Sequence, residues 1–263
     1  TVVKEQEQPD GNFPTCPYPN PEIKEAMELG MEYARKCNAA LLLATDPDCD
    51  RVGIAVKNKA GEYELLTGNQ TGMLLLDYIC SQRVKHSKMP ADPVMVKTIV
   101  TMDMGEQIAT HYSLRTINVL TGFKFIGEQI KFFEQNNSYN FVMGMEESYG
   151  CLVGTYARDK DAPVAVMCLC EAAAYCKSQG ITLWDHMLDL YEKYGYYKEG
   201  LYTITLKGVT GAEKIRKIMS SLRAESLTQI DTLKVLKVRD YEKNTITDLA
   251  TGEVTESGLP QSN

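Results

Sequence analysis

Asp46, Asp48 and Asp50 stand at every second position of the segment Thr45-Asp46-Pro47-Asp48-Cys49-Asp50-Arg51. On an extended backbone alternate side chains point the same way, so the three carboxylates can converge on one point. Two like charges about 4 Å apart repel by on the order of 4 kcal/mol at an effective dielectric of 20, so such a trio invites a cation. Its donors are all hard oxygens, which favours Mg²⁺ or Mn²⁺ over zinc. A solvated acidic turn is the competing reading. A calcium loop of the EF-hand type needs Gly at its sixth position and Glu at its twelfth, where Arg51 and Lys57 stand. A phosphatase with an aspartyl nucleophile is expected to carry Thr or Val where Asp50 stands. Arg51, directly beside the carboxylates, points to a cation and a phosphate held together, since a guanidinium prefers oxyanions in bidentate geometry.

The elements that must position this loop are aliphatic. Ala39 to Ala44 delivers the chain and Val52 to Val56 carries it away, each about one strand long and free of charge, so both read as buried strands. Thr1 to Asp10 reads as a strand with an irregular lead-in. The segment from Gly11 to Pro21 is too rich in proline for a helix or a central strand. Asn20, Pro21 and Glu22 then supply a cap, a first-turn proline and a first-turn acid. Ile23, Ala26, Met27, Gly30, Met31 and Ala34 follow at helical spacing.

After a turn at Asn58 to Gly61 the pattern alternates strand and helix. Strands are expected at Tyr63 to Leu66, Val94 to Val100, Thr116 to Leu120 and Asn140 to Met143. Helices are expected after Thr67, from Asp103 to Tyr112, after Lys124 and from Ala162 to Cys176. That alternation is α/β: layered mixed sheets with helices on the faces. In such folds ligands collect in loops beyond the carboxyl ends of strands. From Leu201 onward, strands near Leu201 to Leu206 and Leu233 to Val238 around a helix at Ala212 to Leu222 read as a partial α+β C-terminal segment.

Several residues on those loops suit a ligand. Lys97 lies in an otherwise apolar strand and is either an edge residue facing water or a cation aimed into a site. Gly122 permits close backbone approach. Glu146, Glu147 and Ser148, in a loop that ends at Gly150, are suited to sugar hydroxyls, or form a solvated turn. Arg158-Asp159-Lys160-Asp161 is a helix cap with surface pairs, or an anion site in which Arg158 and Lys160 meet a phosphate.

Composition sets the outer limits. With 263 residues, 44% hydrophobic and 24% charged, the chain is an ordinary globular protein of one large domain or two smaller ones. A net charge of −7 and a pI near 5.2 argue against a nucleic-acid partner. Neither a transmembrane run nor a signal peptide is expected from these residues. The eight cysteines form no Cys-x-x-Cys pair, so they read as reduced thiols of a cytoplasmic protein, and Cys49 reads as filler between ligands.

Four segments in order, the acidic loop at Thr45, Thr-Gly-Phe-Lys at Thr121, Glu-Glu-Ser-Tyr-Gly at Glu146 and Arg-Asp-Lys-Asp at Arg158, resemble the α-D-phosphohexomutases of the bacterial phosphoglucomutase/phosphomannomutase type. The resemblance implies the phosphohexomutase domain type, with Mg²⁺ held by Asp46, Asp48 and Asp50 and Arg51 on the transferring phosphoryl group. It also implies sugar contacts from Glu146, Ser148 and Gly122, a substrate-phosphate contact from Lys160 with Arg158, and Lys97 as proton acceptor. The implied reaction is a reversible shift of phosphate between hexose 1-phosphate and hexose 6-phosphate through a hexose 1,6-bisphosphate and a phosphoserine, glucose before mannose. A pentose-phosphate substrate and a non-catalytic sugar-phosphate module are the alternatives. Three domain portions are expected: the end of a metal-binding domain over 1–57, a sugar-binding domain over 58–197 and the start of a phosphate-binding domain over 198–263. None of His86, His111 and His186 follows a serine in the family's nucleophile motif, and no Arg-x-Ser-Gly-Thr loop occurs. The chain is therefore expected to be a piece lacking N- and C-terminal portions of its full-length protein, and to be inactive alone.

Overall fold

Helix α1 (Lys24–Cys37) buries Met27, Gly30, Met31 and Ala34 against a three-stranded antiparallel sheet of β1 (Leu41–Thr45), β2 (Val52–Lys57) and β3 (Tyr63–Leu66), in that order. The helix begins two residues after Glu22. Asn20 Oδ1 accepts from the Glu22 N–H at 3.0 Å, an Asx bond in a turn closed by the Ile23 N–H on the Asn20 carbonyl, and Ile23 itself is extended, so the helix starts only at Lys24. Pro21 rests on Gly53, where a Cβ would come within 2.6 Å of the Pro21 Cβ. In place of a strand, the first ten residues contain only a short 3₁₀ turn at Lys4–Gln6.

The two strands flanking the acidic loop are not equally buried. β2 is central and covered; β1 is the sheet edge and only half-buried. Its outer side borders a cavity of about 1060 Å³, lined by residues that include Pro14, Tyr33, Leu43 and Asp46. The turn after Lys57 lies within this sheet, because β3 pairs with β2 on its far side.

Helix α2 (Gly68–Lys85) starts in a capping box, Thr67 accepting from the Gln70 N–H while the Gln70 side chain accepts from the Thr67 N–H. Its residues from Leu74 to Leu76 are buried on successive positions, as expected for a helix surrounded by protein. Next come β4 (Pro93–Thr98), α3 (Met104–His111), β5 (Arg115–Val119), α4 (Phe123–Asn136), β6 (Asn140–Met145) and β7 (Cys151–Val153). They build a sheet of order β5-β4-β6-β7 in which β4 runs parallel to β5 and β6, while β7 is antiparallel. Alternation divides β4: Val94 and Val96 join Ile126, Ile130 and Phe141 on the α4 side, whereas Met95 packs with Leu74, Met104 and Ile108 on the other. Burying each such side chain contributes about 1.5–3 kcal/mol. Helix α5 (Ala162–Ser178) is capped by Asp161, whose Oδ1 accepts from the Val164 N–H. Helix α6 (Leu183–Tyr194) starts in a second capping box, Thr182 with Asp185.

The computed structural model describes residues 1–200 and 204–259. They fall into two compact units, Thr1–Lys198 and Glu199–Asn263. The second contains α7 (Gly208–Ala224), a hairpin of β8 (Gln229–Ile230) and β9 (Leu233–Lys234), and a meander of β10 (Lys237–Asp240), β11 (Thr245–Asp248) and β12 (Val254–Glu256). Arg223 pairs with Asp240 and Glu242 and ties α7 to β10. Of the strand expected at Leu201 to Leu206, residues 201–203 lie outside the described residues and 204–206 form no strand. The strand expected at Leu233 to Val238 is interrupted into β9 and the start of β10. The eight cysteines are free thiols. No helix among the described residues is long and apolar enough to cross a membrane.

Candidate active site

Asp46, Asp48 and Asp50 each offer a carboxylate oxygen within 4.8 Å of the others. They converge by a different route from strand alternation. The loop turns, with the Cys49 N–H bonded to the Asp46 carbonyl at 3.1 Å and Cys49 itself in the left-handed region at φ 56°. Cys49 is thus a strained hinge of the loop, the kind of backbone that persists where its surroundings over-determine it. Those surroundings include the first N–H of α5, from Ala162 to the Cys49 carbonyl at 3.0 Å. Asp46 Oδ1 accepts from the Asp50 and Arg51 N–H groups at 3.0 Å each. Burial pushes the Asp46 carboxyl up; the Arg51 N–H opposes this and the Asp50 carboxylate adds to it. Asp50 Oδ1 is buried without a hydrogen-bond partner. A trio of hard oxygens, one of them buried without a hydrogen bond and with only a 3.6 Å ion-pair contact to Arg51 Nε, fits a divalent cation such as Mg²⁺.

Two cations adjoin the trio. Arg51 donates through Nη1 to Glu22 Oε1 at 2.9 Å, and its Nε lies 3.8 Å from Asp46 and 3.6 Å from Asp50. Lys160 Nζ lies 2.9 Å from Asp50 Oδ2 and 3.2 Å from Asp159 Oδ1. The stem of Lys160 crosses Gly150 so closely that a Cβ there would come within 2.2 Å of the lysine Cδ. Any side chain at position 150 displaces Lys160.

The loop after β6 meets the acidic loop through its backbone. Arg51 and Gly150 form an antiparallel bridge, and the Val52 N–H donates to the Tyr149 carbonyl at 3.1 Å. Glu146 is 7% exposed, and its Oε1 accepts from the Gly122 N–H at 3.1 Å. Gly122 stands at φ 121°, a left-handed value that disfavours side chains, and precedes α4. Burial pushes the Glu146 carboxyl up; Lys160 pulls it down and Glu147 pushes it up further. Ser148 is half-buried on the same loop. Glu147 is tied backward, accepting from the Thr98 hydroxyl at 2.9 Å.

The structure therefore brings Asp46, Asp48, Asp50, Arg51 and Lys160 together, next to the loop of Glu146 and Ser148 that Gly122 supports. Two expected site residues have other partners. Lys97 is 1% exposed and no edge residue. It shares the Met95 face of β4 and reaches Thr101 O at 3.0 Å, Asp103 at 2.9 Å and Glu106 at 3.5 Å. Three acceptors match the three N–H groups of an ammonium. Arg158 donates through Nη2 to both carboxylate oxygens of Glu134 of α4 at 2.6 Å, so it and Lys160, two residues apart, face different partners. Sequence reasoning passes over Glu22 and Thr98. Glu22 looks like a helix first-turn acid and carries no other signal; Thr98 is marked only by its place at the carboxyl end of β4.

Two family profiles match the chain in succession: phosphoglucomutase/phosphomannomutase alpha/beta/alpha domain II over residues 1–61, and domain III over residues 67–194. The phosphoglucomutase of Staphylococcus saprophyticus is 36% identical over 262 residues, which cover 100% of this chain and 47% of that protein. That of Staphylococcus aureus is 34% identical, with 100% of this chain and 46% of that protein covered. The chain thus spans about half the length of the curated relatives it matches. Among solved structures, a phosphoglucomutase/phosphomannomutase family protein from Burkholderia thailandensis superposes with a TM-score of 0.58 at 16% identity, over 90% of this chain and 45% of that one. The open form of the Paramecium phosphoglucomutase parafusin gives 0.57 at 16% identity, over 90% and 39%. At these identities the two structures speak for the fold.

Proposed function

The chain belongs to the α-D-phosphohexomutase family, and on that premise we propose that it forms one half of the cleft of a Mg²⁺-dependent mutase interconverting hexose 1-phosphate and hexose 6-phosphate, glucose before mannose, in the cytoplasm. The reading is supported above all by the 2.9 Å contact between Lys160 Nζ and Asp50 Oδ2. There a cation suited to phosphate and a carboxylate suited to a metal share one spot.

Asp46, Asp48 and Asp50 would hold Mg²⁺, which when bound supplies Lewis-acid neutralisation of phosphoryl oxygens. Arg51, braced by Glu22, offers its remaining N–H groups to the transferring phosphoryl group. Glu146 and Ser148, against the wall at Gly122, hold sugar hydroxyls. Lys160 meets the phosphate that is not being transferred, and Arg158 joins it only on leaving Glu134. Catalysis of phosphoryl transfer is mostly positioning and charge stabilisation, which is what these groups provide. Hydroxyls presented similarly in either sugar orientation let a hexose 1,6-bisphosphate turn over in the cleft and be read again. In the role of proton acceptor Lys97 must leave Asp103 and Glu106 and first give up a proton of its own ammonium. The phosphoryl-carrying serine is assigned to a part of the full-length protein outside these 263 residues, which hold no Ser-His-Asn-Pro type loop.

The test is interconversion of glucose 1-phosphate and glucose 6-phosphate by the complete gene product, with Mg²⁺ and with chelator. Turnover that needs the divalent ion is expected, together with Mg²⁺ and hexose phosphate binding but no turnover by the 263-residue chain alone. A complete gene product without mutase activity, or one indifferent to chelator, sinks the reading.

A further inference from the structure

We infer that Glu147, which does not share the sugar-binding role of its neighbours Glu146 and Ser148, is a positioning residue that locks their loop to the end of β4 through Thr98. The inference rests on the sugar-binding reading of that loop proposed above.

The hydrogen bonds have one consistent direction. A carboxylate only accepts, so the Thr98 hydroxyl donates its single proton to Glu147 Oε2 at 2.9 Å. The 2.8 Å contact between the Thr98 and Thr101 hydroxyls must then have Thr101 as donor, in preference to its longer 3.4 Å contact with the Met145 carbonyl. The chain runs Thr101 to Thr98 to Glu147, with both hydroxyls at most 2% exposed. The two linked buried hydroxyls give the carboxylate a fixed address at the end of β4.

The rest of the loop is held by backbone bonds and by Glu146, whose Oε1 accepts from the Gly122 N–H at 3.1 Å and so ties the loop to the start of α4. The Glu146 N–H closes it on the Gly150 carbonyl at 2.8 Å, and the Val52 N–H takes the Tyr149 carbonyl at 3.1 Å. Tyr149 itself is left-handed at φ 66°, a conformation that costs a non-glycine residue free energy and relaxes once its supports go. Glu147 is the loop's side-chain tether to the parallel sheet. A side chain that orients the groups touching the ligand controls their precision without touching it.

The experiment compares the wild-type chain with Glu147→Ala, Glu147→Gln and Thr98→Val. Glutamine keeps an acceptor for the Thr98 hydroxyl, and valine keeps the shape of threonine without its donor. Hydrogen exchange of the Glu146 amide is measured without ligand, against Val142 and Met143 of β6 as internal controls. Binding of glucose 6-phosphate and of inorganic phosphate is measured by calorimetry. The expected result is an exchange rate and a glucose 6-phosphate dissociation constant both raised about tenfold in the Ala and Val chains, with phosphate binding unchanged and the Gln chain like wild type. Unchanged loop exchange in Glu147→Ala, or a Gln chain as impaired as the Ala chain, overturns the tether. Wild-type sugar binding that all variants share overturns the positioning role alone. A wild-type chain that binds glucose 6-phosphate no better than phosphate overturns the sugar assignment of the loop, and with it the proposed function.

Discussion

Lys160 Nζ sits 2.9 Å from Asp50 Oδ2, so the cation suited to a substrate phosphate is engaged with the acidic loop. Burial favours its neutral form, yet the bonds to Asp50 and Asp159 outweigh this and leave it more firmly protonated than a free lysine. A divalent ion at the same carboxylates repels the ammonium and frees it toward a phosphate. Lys160→Met is therefore expected to tighten Mg²⁺ binding several-fold and to weaken glucose 6-phosphate binding about tenfold, or ~1.4 kcal/mol. Calorimetric titration with each ligand separately checks the two signs. Both affinities falling together would show instead that the loop collapses without its lysine.

The three acidic residues should differ in what their loss does to the fold. Asp46 Oδ1 accepts two backbone N–H groups, while Asp48 is exposed. Asp46→Ala leaves those donors without their acceptor and should cost about 1–3 kcal/mol. Asp48→Ala should stay within about 0.5 kcal/mol of wild type when no ion is present. Both should abolish the stabilisation expected from Mg²⁺ in the wild-type chain, about 2.7 kcal/mol at a hundredfold excess over its dissociation constant. Urea unfolding with and without Mg²⁺ separates the two contributions. Equal ion-free stabilities of the two variants would contradict the bonding of Asp46.

Local signals were legible in the residues and distant ones were not. The caps at Thr67 and Asp161 follow from side chains within three residues of the N–H they satisfy. The Thr182 and Asp185 box of α6 carries the same signal, and sequence reasoning passes over it. The acidic trio is visible as residues, but extended alternation is the wrong geometry for it, because nothing in the type of residue 49 announces a left-handed turn. Glu22 meets Arg51 across 29 residues, and no local pattern distinguishes that pairing from a helix start. Arg158 and Lys160 look alike in the sequence. They separate because one packs beside Glu134 and the other over Gly150, relationships that exist only once α4 and β7 are in place.

Glu146 should give the pH dependence of stability a definite sign. Burial raises its pKa above the ordinary 4.5, so the folded chain holds this proton at a pH where the unfolded chain has lost it. Its contribution to stability is thus fully present below the ordinary value and disappears as pH rises through the raised one. Glu146→Gln imitates the protonated form. Without Mg²⁺, the variant should melt with the wild type near pH 4.5 and above it near pH 7.5, while losing affinity for glucose 6-phosphate. A melting difference that does not change with pH would mean that burial exerts no such pressure on the carboxyl.

Gly68 offers the sharpest steric test of how helix α2 carries the loop after β6. By helix propensity alone, Gly68→Ala in the first turn should stabilise the chain by up to ~1 kcal/mol. The added methyl, however, would meet the Glu147 carbonyl oxygen at 2.1 Å and the Tyr149 nitrogen at 2.6 Å. Both are backbone atoms, so no change of rotamer relieves the contact, and helix and loop must part. The net effect should be a loss of roughly 2–3 kcal/mol, read as a lower urea midpoint. The Tyr149 carbonyl is bonded to the Val52 N–H, and Gly150 is bridged to Arg51, so displacement of the loop after β6 pulls on the acidic loop as well. Mg²⁺ and glucose 6-phosphate affinities should therefore weaken together, unlike the opposite shifts expected of Lys160→Met. A Gly68→Ala chain as stable as wild type, with both affinities intact, would show that the helix and the loop do not constrain each other.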